Sequence, residues 1–143
     1  MKYLYLITLI YFSVLTNKKS VAQTTGVSDT LSYLQTIVAN KSQFIGQPFS
    51  VLYSTLQVSI KYFTPFGNIA HDKRKETSTE FSFYFPQTAN EIYLTYPSLR
   101  ISWQPYLDNT IAHSLFNQYS GGWFPQVLQH YSVGIISDIQ IRE

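Results

Sequence analysis

Leu99-Arg100-Ile101-Ser102-Trp103-Gln104 alternates apolar and polar side chains without a break. Successive side chains of a strand point to opposite faces, so this stretch reads as β-structure. Leu99, Ile101 and Trp103 then face a core, and Arg100, Ser102 and Gln104 face solvent. The same period of two recurs upstream. Phe81, Phe83 and Phe85 alternate with Glu80, Ser82 and Tyr84, and Val58, Ile60 and Tyr62 alternate with Ser59 and Lys61. Ile92, Leu94 and Tyr96 suggest a further strand, and residues 135–141 a last one with Ile135, Ile139 and Ile141 on one side. The connections at residues 86–90 and at Pro97-Ser98 are turn-like and short, as antiparallel neighbours require. One apolar and one polar face per strand means a sheet covered on a single side.

Outward from the sheet the period changes to that of a helix. Leu31, Leu34 and Val38, with Ile37 beside them, follow Ser28 or Asp29 as an N-cap and predict a helix to about Asn40. Ile45-Gly46-Gln47-Pro48 reads as a turn into a second helix with Phe49, Leu52 and Leu56 on one face. Beyond the sheet, Asp108 or Asn109 caps a helix whose expected inner side is Ile111, Leu115, Phe116 and Tyr119, stopped at Gly121-Gly122. Residues 123–130, with Pro125 in the first turn, read as one more short helical piece, although an extended cover over residues 105–131 fits the pattern too. The expected order is α-α-β-β-β-β-α-β. This is an α+β domain, with an N-terminal helix pair and a further C-terminal helix on one face of an antiparallel sheet of about five strands.

The succession of helix, Ile45-Gly46-x-Pro48 turn, second helix and antiparallel sheet resembles small periplasmic interaction domains of the β-lactamase-inhibitor-like kind. The resemblance runs from residue 23 to about residue 62 and carries no specific motif, so no function or site residue follows from it.

The N-terminus has the features of a cleavable leader. Lys2 precedes an uncharged apolar run over residues 3–15, and Ser20-Val21-Ala22 offers small residues where a signal peptidase needs them. The expected division is a signal peptide at residues 1–22 and one domain at residues 23–143. The apolar run is shorter than the roughly 20 residues that span a bilayer, so no stable membrane span is expected after cleavage. Lys18 and Lys19 before the cut leave a retained N-terminal anchor as the alternative. Three of the ten Lys and Arg residues (Lys2, Lys18 and Lys19) lie in the leader and all eight acids lie beyond it, so the net charge of the mature domain is −1. Without a basic field to displace phosphate counterions, nucleic acid is not an expected partner.

The chain has no cysteine. A small exported domain without disulfides must rely on its core, and the abundant Phe and Tyr supply it. This combination suits a bacterial periplasm or exterior better than a disulfide-forming secretory route.

Signatures of chemistry are sparse. His71, His113 and His130 form no metal-binding spacing, and no metal or cofactor is expected. There is no Gly-x-Ser-x-Gly elbow, no Ser-x-x-Lys and no thiol nucleophile. His71 to Glu76 reads as a solvated, charged loop tip and Asp138 as a solvent-side residue of the last strand. The clearest surface feature is aromatic. Tyr84 and Tyr93 fall on the polar faces of their strands, with Arg100 near the same side. Tyr84, Tyr93 and Arg100 are therefore the candidate binding residues of a non-enzymatic module of the cell envelope, whose partner is another envelope protein or a glycan. The alternative is a small envelope hydrolase using His113 with Asp108 in a cleft beside Trp103.

Overall fold

The computed structural model describes residues 27–67, 72–84 and 96–143. In chain order these form helix α1 (Val27–Ala39), a 3-10 turn (Lys41–Gln43), helix α2 (Phe49–Thr55) and strands β1 (Tyr62–Phe66), β2 (Lys75–Ser82) and β3 (Ser98–Asp108). Helices α3 (Asn109–Tyr119) and α4 (Pro125–Ser132) and strand β4 (Ile136–Arg142) follow. The four strands form one antiparallel sheet in the order β1-β2-β3-β4.

The α+β class is as expected, with corrections in detail. The sheet has four strands among the described residues rather than about five. The expected strand at 92–96 lies outside those residues except for Tyr96, as do the leader at 1–22, Tyr93 and His71. β1 begins at Tyr62 because Val58 and Ile60 precede the end of β2, and only the Lys61 amide still reaches Ser82 O, at 2.8 Å. β2 begins earlier than its phenylalanine pattern suggests, at Lys75. Residues 105–131 are not an extended cover: β3 continues to Asp108 and two helices follow.

Local chemistry explains those helices. The Asp108 carboxylate accepts the amides of Thr110 at 2.8 Å and Ile111 at 3.3 Å, which caps α3. Ser120 takes a left-handed conformation at its end, and Gly121 follows with φ of 77°. Any side chain on Gly121 would start 2.1 Å from the Tyr62 ring, so that position needs glycine for space as well as for φ. Pro125 opens α4 at the position that loses no helical hydrogen bond.

All four helices lie on the same side of the sheet. Leu34 and Ile37 of α1, Phe49 and Leu52 of α2, and Val127 and Tyr131 of α4 pack with Phe63, Phe81, Leu99, Ile101, Trp103, Ile136 and Ile139, while Leu115 and Phe116 of α3 join from the rim. Ile111, expected to face inward, is 49% exposed, because the inner stripe of α3 runs through Ala112, Leu115 and Phe116. Each fully buried large side chain contributes about 1.5–3 kcal/mol. Both sheet edges are partly covered. The Phe63 amide donates to Gly121 O at 2.9 Å along β1, and the Gly46 amide donates to Ile136 O at 2.8 Å along β4. Pro65 removes a further donor from the β1 edge.

Candidate functional site

The two faces of the sheet carry different chemistry. On the solvent face the register aligns Thr64, Glu80, Arg100 and Gln140 in one row across all four strands. Arg100 Nη2 donates to Glu80 Oε2 at 2.8 Å, Ser98 Oγ donates to Glu80 Oε1 at 2.8 Å, and the guanidinium lies 4.3 Å from the centroid of the Phe66 ring. Arg100 Nε has no hydrogen-bond partner and is shielded from solvent. Tyr84 lies two residues beyond Ser82 and continues its side of the strand, since Phe81 and Phe83 both turn to the core. Its ring is 37% exposed and packs against Tyr96 with centroids 4.1 Å apart. Of the three expected binding residues, the structure thus puts Tyr84 and Arg100 on the solvent side, and Tyr93 lies outside the described residues. Tyr96 and Phe66 join them. Alternation with Ile92 and Leu94 puts Tyr96 on the apolar side, and its packing against Tyr84 just before β3 corrects that placement.

Asp138, on the same face of β4, accepts Lys41 Nζ at 2.5 Å and Gln140 Nε2 at 2.9 Å. The lysine contact, more than any other, holds the Asp138 carboxyl below the usual carboxylate range.

Beneath the helices lies a polar cluster that strand alternation does not reveal. Glu76 is fully buried, which corrects its expected place in a solvated loop tip. A β-bulge between Glu76 and Ser78 causes the inversion. In an unbroken strand residues 76, 78 and 80 share one face. The register slips by three residues there, Glu76 pairing with Leu107 and Ser78 with Ser102, so Glu76 turns inward beside Thr79 while Glu80 stays outside. Glu76 Oε1 accepts the hydroxyls of Tyr131, at 2.9 Å, and Thr79. Trp103 Nε1 donates to Thr79 Oγ1 at 2.8 Å, so one threonine satisfies both a buried indole and a buried acid. Burial first, and the Glu76 charge second, push the Tyr131 phenol far above its ordinary range, so it remains a donor.

The other oxygen of Glu76 faces His130. Oε2 and His130 Nε2 stand 3.8 Å apart, within ion-pair range but too far for a hydrogen bond, and neither has another partner. His130, expected near a helix surface, keeps only 12% of its side chain exposed. Asn109 closes this end of the domain: its amide donates to Arg74 O at 2.7 Å and its Nδ2 to Lys73 O at 2.8 Å, tying the start of α3 to the turn before β2. That turn is shaped by Asp72, whose carboxyl is held below its usual range chiefly by the Arg74 amide.

The structure does not bring the hydrolase pair together. Asp108 is occupied as the α3 cap, His113 is exposed on that helix, Trp103 is buried, and no hydrogen bond or ion pair joins Asp108 to His113. The amides of Ile111 and Thr110 hold the Asp108 carboxyl below its usual range, with a small contribution from His130. A shallow depression of about 180 Å³ is lined by Tyr53, Leu56, Gln57, Val58 and Ser59, which carry neither charge nor nucleophile–base geometry. Among the described residues no three His, Asp or Glu side chains gather to hold a metal ion, and no helix is long and apolar enough to cross a membrane.

Compared with protein-family models, with curated proteins and with solved structures, the chain matches none.

Proposed function

We propose that this chain is an exported, non-enzymatic binding module of the cell envelope that captures another envelope protein on the solvent face of its sheet. The observation that carries the proposal is the Tyr84–Tyr96 pair, with Tyr84 37% exposed, on the side of the sheet opposite all four helices. Partly exposed tyrosines add contact area with little side-chain entropy to lose, and aromatic and arginine side chains are enriched where protein contacts are strongest. Arg100 is already aligned by Glu80 and Phe66, so little order remains to be imposed on binding. Export rests on the leader pattern at residues 1–22, and Tyr96 joins Tyr84 on the proposed surface.

The test is capture of a partner from envelope extract by the purified protein, followed by its identification and titration. A Tyr84→Ser, Tyr96→Ser double variant is expected to unfold at the wild-type denaturant concentration and to lose most of the capture. Undiminished binding by the folded double variant rejects the face. Binding that survives protease treatment of the extract but not glycosidase treatment reassigns the partner to a glycan.

A further inference from the structure

The buried contact between β2 and α4 lacks one element of a stable pair. Glu76 is fully buried, and its Oε1 has two hydroxyl donors while its Oε2 has none. His130 Nε2, itself without a hydrogen-bond partner, faces it at 3.8 Å. A buried carboxylate whose second oxygen meets no donor is costly, and an imidazolium at this distance is the neighbour that offsets the cost. Neutral imidazole offers Oε2 either a lone pair or an N–H too distant for a hydrogen bond.

We propose that Glu76 and His130 form a proton-dependent latch, which seats α4 against the sheet while the imidazole is charged and loosens it when the proton leaves. The surroundings favour that reading. His130 also lies within electrostatic reach of Asp108 at the α3 cap, so acids from both packed elements, β2 and α3, stand near the ring. On α4 itself the neighbouring Tyr131 is a neutral phenol that donates to Glu76. Two cations at the head of β2 are directed elsewhere: Arg74 and Lys75 pair with Asp72 at 3.4 and 3.5 Å. His113 on α3 is exposed. The attraction exists only with the imidazole protonated. Its contribution is therefore present while the imidazole holds its proton and is lost when the proton leaves.

The fold supplies its own reporter. The chain's two tryptophans, Trp103 and Trp123, both stack on Tyr131, with centroids 5.8 and 6.3 Å away, one residue from His130. The experiment follows tryptophan emission and the urea unfolding equilibrium of the full chain from about pH 5.5 to about pH 8, for wild type, His130→Gln and Glu76→Gln. The wild type is expected to lose about tenfold in its folding equilibrium constant over this range, with a one-proton shift in emission, and both variants are expected to be flat. A wild-type curve with no transition overturns the latch without recourse to any variant. A His130→Gln curve parallel to the wild type overturns the assignment to His130. A Glu76→Gln curve that keeps the wild-type slope overturns the pairing and assigns the proton linkage to Asp108.

Discussion

Glu80 lies on the solvent face of β2, and Glu76, four residues earlier, lies under the helices. Glu80 meets a guanidinium at 2.8 Å and a serine hydroxyl at 2.8 Å, and keeps a quarter of its side chain in water. Glu76 is fully buried, meets two neutral hydroxyls and stands 3.8 Å from the His130 imidazole. Partly solvated ion pairs contribute little, because water and salt already solvate their charges. Buried acids make large demands on their partners, because the surrounding medium supplies no replacement. The same residue type on one strand is thus tolerant on one face and exacting on the other. The register slip between them decides which is which.

The comparison breaks most severely at the aromatic layer behind Glu76. Phe81 stacks on Phe49 at 4.9 Å and meets Trp103, Trp123 and Tyr131 edge-on. Phe81→Ala is expected to cost about 3–5 kcal/mol in urea unfolding, the range for opening a large cavity in a packed core. A loss near 1 kcal/mol would mean that the helices do not press on this face as described.

Thr79→Val sharpens the polar half of the comparison. It keeps the side-chain shape but leaves Trp103 Nε1 without an acceptor and Glu76 with one hydroxyl donor fewer. The expected cost is about 1–3 kcal/mol, with a change in near-ultraviolet circular dichroism from the tryptophan. A neutral result would show that the cluster is not held by this threonine.

The smallest effect belongs to the solvent face. Asp138→Asn removes the charge that accepts Lys41, and with a third of the side chain exposed the expected loss near neutral pH is below about 1 kcal/mol. Its pH dependence has a definite sign. The folded carboxyl is held below its unfolded value, so its contribution is present above the ordinary carboxylate range and is lost as the pH falls through the folded value. The variant should therefore lose less stability than wild type on acidification below about pH 4, as read by urea midpoints at successive pH values. Equal acid sensitivity in the two proteins would remove Asp138 from the account.

What sequence alone supports here depends on periodicity. Leu99, Ile101 and Trp103 do face the core, as their alternation implies, and Arg100 faces away from it. The Asp108 cap, the stop near Gly121 and Pro125 at the head of a helix were equally readable, because each rests on a backbone group satisfied within a few residues. Tyr84 was readable as a solvent-side residue for the same reason. The Tyr84–Tyr96 pairing was not, since it depends on strand register across a connection whose length sets no register by itself.

Fold class, absence of disulfides and the polarity of the strand faces were thus determined locally, by side-chain spacing and composition. Only the tertiary structure decided that Glu76 leaves a charged stretch for the core, that Thr79 serves two buried partners, and that His130 turns toward an acid 54 residues away in sequence. The reason is physical. A bulge changes the phase of a strand without changing its composition, and a buried acid is tolerated only where distant elements bring donors to it.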